Sequence, residues 1–248
     1  QGFKVVPYCP RCGTPLSDHE VALGYQDTED PSVYVRFPLV DEPNTYLLVW
    51  TTTPWTLPAN VAIAAHPDVE YVMVTREDGL NDERLILAKD LVEAVFGETR
   101  MKVLKSFKGK SLKGRKYAPL FTFLPPNKPA YFVVTADYVT TTDGTGLVHT
   151  APAFGADDMT TATAQDLPLI MTINDEGNFK PEVKNWAGQF VKEADPKIIE
   201  DLRQRGLLFA SGKITHTYPF CWRCDTPLLY YARPSWFIRT SAVKDRMV

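Results

Sequence analysis

Four cysteines stand in two Cys-x-x-Cys pairs, Cys9 with Cys12 and Cys221 with Cys224, in a chain of 248 residues. The flanks repeat too: Cys-x-Arg-Cys-x-Thr-Pro-Leu occurs near both ends. Each copy reads as a knuckle, a tight turn that presents two thiolates to one ion. Four sulfurs complete a closed tetrahedral site, which is structural zinc chemistry rather than catalytic. A zinc ribbon separates its pairs by about 15–20 residues, whereas roughly 200 intervene here. The ion would therefore clip the two ends of the chain together. Two separate redox motifs, or two knuckles without an ion, are the competing readings; the duplicated flanks favour a matched pair.

A second concentration of functional groups is Trp50-Thr51-Thr52-Thr53-Pro54-Trp55-Thr56-Leu57-Pro58-Ala59-Asn60. Proline fixes φ and removes a donor, so Pro54 and Pro58 end the preceding strand and hold a rigid bend. The threonines make that bend a shelf of hydroxyls, which donate or accept, and methyls, which limit volume. Such a shelf suits recognition of a small polar ligand and exclusion of slightly larger ones. Threonine also favours strands simply by being β-branched, but two prolines and two tryptophans in the same stretch tip the reading toward a site.

A third group follows at Gly144-Thr145-Gly146-Leu147-Val148-His149-Thr150-Ala151-Pro152. Asp143-Gly144 signals a hairpin between a strand from Tyr131 to Thr142 and a return strand from Gly146 to Thr150. Gly144-Thr145-Gly146 reads as turn chemistry and not as a phosphate loop, since no helix follows directly. Asp157 and Asp158 open a helix through Ala164. Acids in a first turn suit the helix dipole, but two carboxylates exceed what a cap needs, so one is a candidate to face a ligand.

The elements that position these groups are mostly strands. Ser32–Phe37 alternates, residues 46–53 carry the shelf, and Val61–Ala64, Tyr71–Val74 and Arg84–Leu87 follow, the last two as a pair. Asp90–Phe96 reads as a short helix stopped by Gly97. Residues 168–183 read as a strand pair, Lys197–Arg205 as a helix opened by Asp195 and Pro196 and stopped by Gly206, and Leu207–Thr217 as a strand returning to the second knuckle.

Composition bounds the function. The formal net charge is −3, so there is no global basic signature for nucleic acid. The local basic cluster is Lys102, Lys105, Lys108, Lys110, Lys113, Arg115 and Lys116; it reads first as a solvated face, with phosphate contact as the alternative. No run approaches the roughly 20 apolar residues needed to span a bilayer. Pairing of all four cysteines in Cys-x-x-Cys motifs points to a reducing compartment. The absence of an initiator methionine suggests a fragment of something longer.

The shelf, the paired knuckles, the Gly144–Pro152 block with Gly155-Ala156-Asp157-Asp158, and Ser235-Trp236-Phe237-Ile238 together resemble the inserted editing domain, or first connective polypeptide, of isoleucyl-tRNA synthetases. The likeness spans essentially the whole chain. Phe154 stands where many bacterial relatives have a histidine, and no mechanistic weight is attached to it. The adenylate-forming motifs of the parent enzymes, His-Ile-Gly-His and Lys-Met-Ser-Lys-Ser, are absent.

The resemblance implies a mixed α/β fold that is β-barrel-like and mostly antiparallel, with few short helices and a zinc-knuckle stalk. It divides the chain into a stalk (1–30 and 207–232), an editing core (31–206) and an exit segment (233–248) toward the rest of the synthetase. It implies hydrolysis of valyl-tRNA(Ile) as a second sieve, in the cytoplasm and away from membranes, with ATP and Mg²⁺ serving only the parent ligase. Asp158 then pairs with the substrate's α-ammonium, and His149 touches the terminal ribose or positions water. Thr51, Thr52, Thr53 and Thr56 line the pocket with Trp55 as a wall, and Trp50, Asn60, Thr150 and Ala151 complete the binding set. No Ser-His-Asp or Cys-His set is apparent, so water held jointly by protein and substrate is the expected nucleophile. The competing functions are a non-catalytic, zinc-stapled guide for the tRNA acceptor end, and editing of another small amino acid.

Overall fold

The computed structural model describes residues 1–79, 82–242 and 244; the remainder of the expected exit segment, 243 and 245–248, lies outside them. In chain order the elements are β1 (Gly2–Cys9), β2 (Thr14–Pro15), α1 (Asp18–Ala22), β3 (Tyr25–Pro38), β4 (Thr45–Thr51), a 3-10 turn (Pro54–Ala59), β5 (Ala62–Ala65), β6 (Glu70–Arg76), β7 (Arg84–Ala88), α2 (Val92–Phe96) and β8 (Met101–Lys108). There follow β9 (Phe132–Thr135), β10 (Leu147–Thr150), α3 (Ala156–Ala164), α4 (Val191–Gln204), β11 (Leu208–Pro219) and β12 (Leu229–Ser235).

The strands form three open sheets, ordered β12-β1-β2, β10-β5-β9 and β11-β3-β4-β7-β6-β8. All pairs are antiparallel except β4–β7 and β5–β9. The fold is thus mixed α/β, mostly antiparallel and poor in helix, but the expected barrel is not there: among the described residues no sheet closes on itself. β4 explains part of the arrangement. Leu47 and Val49 belong to the main core and Leu48 to a smaller one with Val72, Val74, Leu85, Leu87 and Phe96. A strand buried on both faces reads as the continuous apolar run seen in Tyr46–Val49.

The expected hairpin across Asp143-Gly144 is corrected. β9 and β10 do not pair with each other; both pair with β5, which lies between them. The two glycines serve close approach instead. Gly144 (φ +72°) has the Trp50 ring where a Cβ would sit, at 2.7 Å, and Gly146 (φ +70°) has the Ala88 Cβ at 2.5 Å. Both backbones are left-handed, a region that glycine adopts without steric penalty. The 168–183 strand pair reduces to a single bridge, Ile173 to Phe179.

Two further elements exceed the sequence reading. The lysine cluster conceals β8, an edge strand paired with β6 whose residues are largely exposed. Lysines on an edge discourage pairing with other chains. α4 starts at Val191, six residues before the expected Lys197, and carries Pro196 inside it. Its buried positions Val191, Ala194, Asp195, Ile198 and Leu202 follow helical spacing onto the core.

The chain ends lie together. β1 and β12 pair in register from Gly2–Ser235 to Tyr8–Leu229. β3 and β11 pair over nearly their whole lengths, from Val35–Leu208 to Tyr25–Pro219. These two ribbons bring the cysteine pairs to one place.

Candidate functional site

The threonine shelf begins where β4 ends. Thr51 closes the strand, and the chain then turns into the 3-10 segment. The hydroxyls of Thr51 and Thr53 lie 3.3 Å apart, as do those of Thr53 and Thr56. The Thr56 hydroxyl donates to the Thr53 carbonyl at 2.8 Å and meets His149 Nε2 at 2.8 Å. A hydroxyl has one proton, and Thr56 has committed it to a carbonyl, so His149 donates from Nε2. Its Nδ1 is then a lone-pair acceptor, buried and without a hydrogen-bond partner among the described residues. Burial holds the imidazole down at about 4, so His149 is neutral at physiological pH.

Asp158 approaches from the other side, on the first turn of α3. Its Oδ2 accepts the Ala151 N–H at 2.9 Å, and its Oδ1 accepts the Tyr138 hydroxyl at 3.3 Å. Burial pushes the carboxyl up to about 6, against those two donors and with the help of Asp157. The carboxylate is ionised at pH 7, yet it is held where a cationic ligand would stabilise it.

Between these groups lies a cavity of about 190 Å³ lined by Trp50, Thr51, Thr53, Thr56, Val148, His149, Ala151, Phe154 and Asp158. Pockets for drug-sized ligands run to about 300–1,000 Å³; this space matches a smaller group. Hydroxyls and a neutral imidazole form one side, a carboxylate another, and aromatic and aliphatic surface the rest.

The structure does not bring every expected residue to this wall. Thr52 is absent from the lining, as alternation along an extended segment places it opposite Thr51 and Thr53. Trp55 is buried behind the cavity, its ring 4.9 Å from that of Phe154. Asn60 organises the core, accepting from the Tyr117 hydroxyl at 2.6 Å and donating to the Ala62 carbonyl at 2.8 Å. Thr150 is fully buried next to His149. Conversely Val148, Phe154 and Tyr138 were missed. Phe154 alone left a trace, as one bulky residue in a loop of small ones. Tyr138 left none, since its reach to Asp158 depends on how the loop after β9 folds.

The cysteines converge at the far end. Their sulfurs all lie within 4.8 Å of one another, with Cys9–Cys224 and Cys12–Cys224 at 3.5 Å and Cys12–Cys221 at 4.0 Å. Bonds of about 2.3 Å to a tetrahedral zinc would space sulfurs about 3.8 Å apart, so the donor set fits such an ion. Both knuckles turn the same way. The residue after each second cysteine, Gly13 (φ +68°) and Asp225 (φ +59°), is left-handed.

Among known proteins, a family model described as tRNA synthetases class I (I, L, M and V) matches residues 1–248. The chain is 54% identical over 248 residues to an isoleucine–tRNA ligase of Clostridium novyi (strain NT), covering 100% of this chain and 23% of that protein. It is 52% identical over 251 residues to the isoleucine–tRNA ligase of Thermus thermophilus, covering 99% and 23%. The chain therefore spans about a quarter of the length of the curated relatives it matches. Among solved structures it is similar to GlLeuRS-CP1, with a TM-score of 0.56 at 16% identity over 73% of this chain and 98% of that one. It is also similar to the editing domain of the P. falciparum cytosolic leucyl-tRNA synthetase, with a TM-score of 0.53 at 7% identity over 73% and 98%. At such low identity these two establish a shared fold.

Proposed function

Because the chain belongs to the class I tRNA synthetases of the isoleucine, leucine, methionine and valine group, we propose that it is the proofreading segment of an isoleucine–tRNA ligase and hydrolyses valyl-tRNA(Ile). The observation that carries the reading is the small cavity in which Thr51, Thr53 and Thr56 face Asp158. In this reading the valine side chain enters against threonine methyls, Val148 and Phe154. Asp158 pairs with the α-ammonium, a group present in every aminoacyl ester and lost on acylation. His149, on the cavity wall with its Nε2 on the Thr56 hydroxyl, touches the terminal ribose or positions water. Water adds to the ester carbonyl, and the terminal ribose oxygen departs with a proton, giving free valine and uncharged tRNA.

The need for such a site is energetic. One methylene in an apolar pocket discriminates by only about 1–3 kcal/mol, the isoleucine–valine pair of these ligases being the standard illustration. A second pocket that admits the smaller side chain multiplies that selectivity.

The rest of the reading follows from the same family. Zinc held by Cys9, Cys12, Cys221 and Cys224 staples a stalk of residues 1–30 and 207–232, with residues 31–206 forming the editing core and the segment from 233 leading to the remainder of the synthetase. That remainder binds ATP and Mg²⁺ and supplies most of the hold on tRNA(Ile), in the cytoplasm. No helix of the described residues is long and apolar enough to cross a membrane.

The test is deacylation of valyl-tRNA(Ile) by this chain at neutral pH. Release of valine above the uncatalysed rate, abolished by Asp158→Ala, is expected. Binding of the tRNA end without hydrolysis would instead identify a guiding module.

A further inference from the structure

The 3-10 turn that presents Thr56 has no local cap. Thr53 makes no side-chain capping bond, and Pro54 at the first position has no N–H. The next donor is the Trp55 N–H, which points into the protein. It is met by Asp195 Oδ1 at 2.8 Å, from a helix 140 residues away in sequence. Asp195 sits at a core-facing position of α4, 3% exposed, among Val191, Ala194 and Ile198. Buried helix positions of this kind ordinarily take an aliphatic residue, because an acid loses its hydration there. What the acid supplies is an acceptor for one otherwise orphaned donor, one residue before Thr56.

We propose that Asp195 is a positioning residue: by capping the turn through the Trp55 N–H it fixes how Thr53 and Thr56 face the cavity and how Thr56 meets His149. The inference rests on the proofreading reading for its catalytic consequence, but its structural part stands apart from it.

The surroundings fit a cap that is poised. Lys192 on α4 and Asp30 on β3 act on Asp195, Tyr218 on β11 feels its charge, His216 on β11 sits on Asp30, and Glu29, Arg203 and Lys213 line the same cleft. Lys192 and His216 both engage Asp30, at 2.8 and 2.9 Å, so the carboxylate of Asp195 is left to the Trp55 amide. A cleft of about 720 Å³ between α4 and the β3–β11 ribbon reaches Asp195 and gives it access to solvent protons. Burial pushes its carboxyl up to about 7, and Asp30 adds to this, while Lys192 and the Trp55 N–H oppose it.

The experiment compares three variants. Asp195→Asn keeps an acceptor, Asp195→Ala removes it, and Asp195→Leu removes it while filling the space. In each, the initial rate on valyl-tRNA(Ile), the ratio to isoleucyl-tRNA(Ile), and the amide and methyl NMR signals of Trp55, Thr53 and Thr56 are measured. Asp195→Leu is expected to be at least as heat-stable as the parent yet to lose about tenfold in valyl ester hydrolysis, the size of one transition-state hydrogen bond. Asp195→Asn is expected within about twofold of the parent on the same scale. The Trp55 amide should titrate near pH 7 in the parent and not in Asp195→Asn. A folded Asp195→Leu variant with full rate and an unchanged selectivity ratio would overturn the proposal. If the parent hydrolyses no ester, the proofreading reading fails on its own. The cap is then judged by NMR: unchanged Thr53 and Thr56 signals in Asp195→Leu would refute it.

Discussion

Asp158 is asked to be charged in a place that disfavours charge. Because its folded carboxyl keeps its proton to about pH 6, the native state binds more protons than the unfolded chain between about pH 4 and 6. Stability from this group therefore falls as pH rises through that window and levels off above it. Replacing the carboxylate with its neutral isostere should remove that penalty. Asp158→Asn is expected to raise stability at pH 7 by about 1–3 kcal/mol, measured by urea denaturation, and to narrow the gap at pH 5. His149 has the opposite sign, being depressed to about 4 by burial, but it is common to both proteins and cancels in the comparison. The same substitution should abolish hydrolysis, since the ammonium loses its partner. For the parent protein, the rate on valyl-tRNA(Ile) should fall as pH drops below about 6, where Asp158 takes up a proton. A stabilised and inactive Asn variant would mark the acid as kept for chemistry. One that is destabilised and active would mark it as structural.

Short elements hold these groups in place, and their junctions are the sensitive points. Gly155 precedes α3, and a Cβ built there would meet the Asp158 carboxylate at 2.8 Å. Its φ of −138° is open to any residue, so Gly155→Ala disturbs the carboxylate and not the backbone. The expected result is a loss of roughly tenfold or more in hydrolysis, consistent with catalytic misplacement by a fraction of an ångström, with little change in melting temperature. α3 itself was legible in the sequence, because Asp157 and Asp158 mark a first turn and apolar periodicity is not needed to find it. The β4-to-turn junction was legible for the same kind of reason, as prolines punctuate it. The pairing of β9 and β10 was not. Asp143-Gly144 is a genuine turn signal, but β5 intervenes through contacts far away in sequence. β8 was hidden because an edge strand carries lysines where a central strand carries valines. The start of α4 was hidden because Asp195-Pro196 looks like a helix opening and is in fact a buried acid serving another element.

Across the whole molecule, the β1–β12 and β3–β11 ribbons gather the four cysteines into one cluster. The duplicated Cys-x-Arg-Cys-x-Thr-Pro-Leu flanks made that closure readable, although the separation of the pairs is far from that of a zinc ribbon. Which residues share the cavity was only partly readable, since Thr51, Thr53 and Asp158 meet through strand alternation and a loop path, whereas Thr52 and Trp55 fall outside the wall. One zinc per chain is expected by elemental analysis. Its removal with a strong chelator should lower the melting temperature by about 10 °C, a shift equivalent to a few kcal/mol in a chain of this size. Phe154 stacks on Tyr231 of β12 with ring centroids 6.3 Å apart, so loosening the ribbon should also reduce hydrolysis. The most direct measurement is the ratio of initial hydrolysis rates on valyl-tRNA(Ile) and isoleucyl-tRNA(Ile) with the same preparation at neutral pH. A cavity that admits three side-chain carbons and excludes a fourth should give a ratio of about 100 in favour of valine, whereas equal rates on the two esters would contradict it.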